Sequence, residues 1–186
     1  MQTQVSIDVS AGTAKLTRLL KVVEPRTLLG VIGSRLLSYV DESFRTRGRG
    51  QWAPLSPLTL LLRKHGGDVP LRDTGAYAMS YTRSGGALKT DEQTFVEVGS
   101  NRKTPSGIPL ANIHELGTGP YTIRVKRARF LAAQTRTGRW LIFGKEVQHP
   151  GIPARPVLPT KAVAERLVAD VVDGMLKKVE QPHGGG

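Results

Sequence analysis

No cysteine occurs anywhere in the chain. Disulfides and thiolate metal sites are therefore excluded as supports for the fold, and a reducing compartment suits it. Aromatic residues are few, at 5% of the 186 residues, which leaves little material for base-stacking platforms. No apolar run reaches the ~18 residues that mark a membrane-spanning helix. Residues 1–10 are polar and alternating, unlike a cleaved leader. These absences lead to the expectation of a soluble protein made inside a cell. Acids are scarce, 15 Asp and Glu against 27 Lys and Arg, for a net charge of +12. That balance favours an acidic partner: nucleic acid, anionic lipid or an acidic protein surface.

Recognisable catalytic chemistry is missing too. His114-Glu115 lacks the second histidine of a zinc-protease helix. His65, His114, His149 and His183 are scattered, with no cysteine to assist them. Ser84-Gly85-Gly86 lacks the lysine of a phosphate-binding loop. No serine sits in a nucleophile elbow, and acids in the loops are too sparse to suggest paired-carboxylate chemistry. The expectation is a non-enzymatic protein with no cofactor and no metal.

What is present is organised around residues 149–159, His-Pro-Gly-Ile-Pro-Ala-Arg-Pro-Val-Leu-Pro. Each proline fixes φ near −65° and lacks an N–H, and each pushes its predecessor towards extended geometry. A stiff, extended strap results, with Ile152, Val157 and Leu158 free to pin it on a core. A plain Pro-rich linker would have the same composition. Thr160 is placed to cap a helix over 161–178, striped by Val163, Leu167, Val171 and Met175.

Upstream, residues 4–10 alternate as a half-buried strand, and a short helical piece follows around Leu16, Leu19 and Leu20. Pro25 opens a long amphipathic helix through Leu29, Ile32, Leu36, Val40 and Phe44. Residues 45–55 read as a loop in which Trp52 is a core anchor. Its Arg45, Arg47 and Arg49 suit a phosphate or an acidic neighbour, or simply solvent. Ser56 and Pro57 start a short helix. Asp73 or Thr74 caps another. Ser84-Gly85-Gly86 is a turn, and residues 87–89 and 94–99 form a hairpin candidate. Residues 110–117 are a short helix ended by Gly117. Between residues 102 and 145 stand nine basic residues against Glu115 alone. Within this segment residues 121–143 alternate as a β-hairpin with a basic tip.

The expected fold class is α+β. One small antiparallel β-sheet, with a long basic hairpin, would combine the first strand, the 94–99 strand and that hairpin. Two long amphipathic helices, plus short helices, would pack on one of its faces. Residues 1–180 would form a single domain with the hairpin inserted at about 119–149, and residues 181–186 a frayed tail.

Several pieces, in this order, resemble the phage virion-morphogenesis or tail-completion proteins of the head–tail neck. They are the helix ending Glu42-Ser43-Phe44, Gly50-Gln51-Trp52-Ala53-Pro54-Leu55-Ser56, Leu71-Arg72-Asp73-Thr74-Gly75, Ile113-His114-Glu115-Leu116-Gly117, and 152–158 with the helix after it. The likeness covers roughly residues 3–180. The insert at 121–150 also resembles head–tail joining proteins, through the basic strand 123–126 and the turn His149-Pro150-Gly151. Two departures stand out. Pro109-Leu110 replaces the usual tyrosine before Ile-His, and Val157 replaces a more usual phenylalanine.

The resemblance implies a structural virion protein, assembled in the host cytoplasm into rings, commonly hexamers, that join tail to head around the DNA channel. Implied partners are copies of itself, head-closure or connector proteins, and tail-terminator or tail-tube proteins. Candidate interface residues are Arg124, Lys126, Arg127, Arg129, Phe130, Arg136, Arg139 and Trp140 on the hairpin, with Ile152, Pro153, Arg155 and Pro156 on the strap. Candidate contacts to DNA or an acidic partner are Arg45, Arg47, Arg49, Lys126, Arg127 and Arg129. Any DNA contact would be non-specific and salt-sensitive. The alternative is a non-specific nucleic-acid-binding module, which explains the charge directly but lacks interleaved aromatics beyond Phe130 and Trp140.

Overall fold

The computed structural model describes residues 5–6, 14–65, 67–81, 88–90 and 96–181. The turn expected at 84–86 and all but the first residue of the tail at 181–186 lie outside these residues, as does most of the strand expected at 4–10. The fold is mixed helix and strand. In chain order the elements are β1 (Val5–Ser6), α1 (Ala14–Leu19), α2 (Pro25–Arg45), α3 (Pro57–Leu62), α4 (Ala76–Met79), β2 (Leu88–Thr90), β3 (Val96–Val98), α5 (Leu110–Leu116), β4 (Tyr121–Arg124), β5 (Leu131–Gln134), β6 (Trp140–Gly144), β7 (Glu146–His149) and α6 (Lys161–Glu180).

Helix α2 forms where periodicity placed it. Pro25 occupies the first turn, where its missing N–H costs nothing. Leu28, Leu29, Ile32, Leu36, Val40 and Phe44 are all buried, at the three- and four-residue spacing of one helical stripe. Arg26, Ser34, Arg35, Ser38 and Asp41 face water. The stripe meets the sheet β1-β3-β2 on one side and α6 on the other. At its far end Phe44 is ringed by Trp52, Tyr77 and Tyr81, with centroids 5.9, 5.7 and 5.8 Å away. Among the described residues, all four buried aromatic side chains are gathered there.

Helix α6 starts at Thr160, whose hydroxyl accepts from the Val163 amide. Its fully buried line is Ala164, Leu167, Val172 and Leu176. Val163, Val171 and Met175 of the expected stripe sit half-buried at its border. This helix packs chiefly on α1 and α2, with Lys15–Asp173 and Arg18–Glu180 pairs at 2.8 and 2.9 Å along the α1 seam.

Two expectations about the layers need correction. The strands do not merge into one sheet. Among the described residues, β1, β3 and β2 form one antiparallel sheet, β4 pairs only with β7, and β5 only with β6. Nor do both long helices cover one sheet face: α2 meets β2 and β3, whereas α6 lies on helices. The physical reason lies in the strands at 121–149. Tyr121, Thr122, Ile123 and Arg124 are all exposed, so β4 has no buried side for a helix to cover. The capping assignments at 73–75 also change. The residue before α4 is Gly75, at φ +72°. Thr74 still accepts from the Ala76 amide, but Asp73 instead faces Arg63 and His65.

Candidate interaction surface

The strap is stitched into the body. Val157 and Leu158 are buried, and their amides both donate to one carboxylate oxygen of Glu115, at 2.7 and 3.1 Å. The Pro156 carbonyl accepts from the Trp52 indole at 2.9 Å, and the Val157 carbonyl from Ser43 at 3.1 Å. The Arg155 amide donates to the His114 carbonyl, and its guanidinium donates to the Ala53 and Pro54 carbonyls. Residues 52–54 and the end of α2 are thereby tied to a segment 101 to 114 residues later, and Glu115 of α5 to one 42 or 43 residues later. A short extended segment has unpaired backbone groups, and proline removes some of its donors. The side chains of Glu115, Trp52 and Ser43 satisfy four of the others.

Arg155, a candidate for the subunit interface, is buried at 6% exposure, and its guanidinium donates to the Ala53 and Pro54 carbonyls of its own chain. Pro153 and Pro156 are exposed, and Ile152 is half-buried in a bridge with Thr118.

The three loop arginines are engaged as well. Arg45 pairs with Glu42 at 2.7 Å and Arg47 with Asp68 at 2.9 Å. Arg49 lies over the Tyr39 ring, 3.6 Å from its centroid, and donates to the Ser43 hydroxyl and the Tyr39 carbonyl. Residues 47–50 all have positive φ, at 54, 63, 57 and 78°. The chain thus leaves α2 through a left-handed turn, an uncommon conformation for two arginines. A Cβ on Gly48 would lie 2.2 Å from the Trp52 indole nitrogen, so only glycine fits under that ring.

The hairpin residues are differently placed. β4 and β7 pair from Tyr121↔His149 to Arg124↔Glu146, and β5 and β6 from Leu131 to Trp140. One face of the β4–β7 ladder is polar and internally paired, through Thr122–Gln148 and Arg124–Glu146. The other carries Tyr121 stacked on His149, with Ile123 and Val147 beside them. On β6, Trp140 and Ile142 share a face and are 63% and 65% exposed. Between the ladders, Lys126, Arg127, Arg129 and Phe130 lie in an irregular exposed stretch, with Arg136 and Arg139 at the turn. Among the described residues, no acid stands within salt-bridge distance of Lys126, Arg127, Arg129, Arg136 or Arg139. The strands of each ladder contact chiefly one another and make few contacts with the body, so residues 121–149 form an arm. The hairpin candidates share the arm, whereas Arg45 ends α2 and Arg47 and Arg49 lie in the turn after it.

Sequence reasoning placed the start of α3 at Ser56 and Pro57 but missed that its leucines stay uncovered. Leu58, Leu60 and Leu61 are 45%, 42% and 48% exposed, and no residue of this helix is buried. The signal was there: Pro-Leu-Thr-Leu-Leu-Leu has no polar face to turn outwards. The Glu115 clamp was also missed, and nothing in the local pattern announces it.

The displaced titrations belong to the body. Burial lowers His114 to about 4, helped by the Arg155 charge. Its Nδ1 is buried without a partner among the described residues, and its ring lies 4.9 Å from Tyr77. Burial raises the Glu115 carboxyl, against the lowering effect of the two strap amides. Tyr77 and Tyr81, joined hydroxyl to hydroxyl at 2.9 Å, are pushed up by burial. Among the described residues no three His, Asp or Glu side chains are grouped as a metal would need, and no helix is long and apolar enough to cross a membrane.

Comparison with family models, with curated proteins and with solved structures finds no match.

Proposed function

We propose that this chain is a structural virion protein of a tailed phage, forming a ring, a hexamer, at the head–tail junction around the DNA channel. The ordered motifs give the reading its identity. The observation that carries it furthest is the arm at 121–149, with cations that meet no acid among the described residues and with Trp140 and Ile142 exposed. Closed rings need heterologous interfaces, in which one patch meets a different patch on the next copy. An arm with an uncovered apolar face and a body with an uncovered leucine helix form two such unlike patches. Neighbours at the two ring faces would be connector and tail-tube proteins, with acidic surfaces or passing DNA opposite Lys126, Arg127 and Arg129. No catalytic role is assigned.

The test is charge reversal of Arg124, Lys126, Arg127 and Arg129 to glutamate, with assembly followed by light scattering and infectivity. Loss of ring-sized mass or of infectious particles is expected. Intact assembly and infectivity in the quadruple variant would falsify the assignment of the arm.

A second reading, non-specific nucleic-acid binding, draws on the same exposed cations of the arm. A saturable complex of the purified protein with duplex DNA at low salt, without any self-assembly, would put it first.

A further inference from the structure

The arm touches its own body at its base and at its tip. At the base, Thr118 and Ile152 exchange two backbone hydrogen bonds, at 2.8 and 3.3 Å. Gly117 and Gly151 flank this bridge at φ +70° and +96°, and a Cβ on either would strike backbone across it at 2.7 and 2.3 Å. The tip is the turn at 135–139. There Thr135 is buried, the one residue of the arm that is, and the Arg136 amide donates to the Leu61 carbonyl at the end of α3, at 3.4 Å. Between base and tip, Trp140, Ile142, Tyr121 and Phe130 stay exposed.

From this geometry we infer that the arm is an exchangeable element: in the assembled state its tip sits on α3 of the next copy of this chain instead of its own. The inference rests on the ring reading and names the partner of the arm within it. Three observations carry it. The receptor for the tip is already built, because the tip and α3 are complementary within one chain, and an exchanged contact uses the same atoms. The arm leaves the body through a pair of glycines, so its direction depends on two residues with wide backbone freedom. Its reach is also sufficient. From β4 to the end of β5 an extended ladder spans at most on the order of 40 Å at about 3.3 Å per residue, comparable with the diameter of a body whose radius of gyration is about 16 Å.

The absence of cysteine makes the test direct. A chain carrying Leu61→Cys and Arg136→Cys is oxidised at concentrations where the parent protein is oligomeric, then separated under denaturing conditions, while light scattering reports the native mass. A second pair, Leu60→Cys with Thr137→Cys, repeats the test. Each variant is used only if its melting curve matches the parent. Exchange predicts covalent ladders of two, three and more chains. It also predicts a heterodimer when a Leu61→Cys chain and a size-tagged Arg136→Cys chain are mixed before assembly. An oligomeric mass with only intrachain bonds, or with no bond in either pair, overturns exchange and leaves the ring reading standing. A monomeric mass at every concentration, with or without the other virion components, overturns both.

Discussion

Single residues hold this fold at points far apart in sequence. Gly48 lies under the Trp52 indole in a left-handed turn. Gly48→Ala adds strain at positive φ and a clash with the ring. It is expected to cost at least about 2 kcal/mol, read as a lower urea midpoint with an unchanged slope. His114 makes stability depend on pH. The unfolded chain takes up its proton near pH 6.5, whereas the folded chain refuses it until about pH 4. Stability is therefore full above about 6.5 and is lost as pH falls through this window, by on the order of 2 kcal/mol for a group that is only partly screened from water. Glu115 opposes this. Its raised carboxyl takes a proton more readily in the folded chain, so acid returns part of the loss. Urea midpoints at pH 4.5 and 7 should therefore converge in His114→Gln and stay apart in the parent.

Among elements, the legible and illegible parts of the sequence divide by range. Helices α2 and α6 were readable because a three- and four-residue apolar period is written within each segment, with Pro25 and Thr160 marking their starts. The ends of α3 and α5 were readable from Ser56, Pro57 and Gly117. The pairing of strands was not, because alternation fixes a strand's faces and not its partner, and β4 alternates as cleanly with two exposed faces as with one buried. The site split the same way. A cluster of basic residues is visible in sequence, but which of them are already spent is a matter of partners. Glu42, Asp68 and Tyr39 occupy Arg45, Arg47 and Arg49, and the Ala53 and Pro54 carbonyls occupy Arg155. The arm supplies the prediction at this scale. Trp140→Ser with Ile142→Ser alters side chains that already face water, so the melting temperature of the monomer should move little, within about 0.5 kcal/mol of stability. Self-association should weaken by about 1.5–3 kcal/mol for each side chain no longer buried between copies, measured by sedimentation across a dilution series.

For the whole molecule, the net charge of +12 sets how association responds to salt. Copies of one strongly basic chain repel one another, and a ring without its acidic neighbours must overcome that repulsion. Raising salt shortens the screening length to about 10 Å at 0.1 M, so ring mass at fixed protein concentration is expected to grow with salt. A complex with DNA would instead weaken with salt as counterion release loses its drive. The sign of the salt dependence therefore separates the two readings in one titration. The strap also bears on how the protein is made. The Trp52 indole waits for the Pro156 carbonyl across 104 residues, and Ser43 for Val157 across 114. At a ribosomal rate of about 5–20 residues per second, the Phe44 cluster stays open for some ~5–20 s after it has been synthesised. A nascent chain is therefore exposed to chaperones and proteases until its strap emerges, and a message cut short before residue 155 yields a product with no means of closing. Quality control of this protein is thus tied to translation having passed the proline-rich stretch.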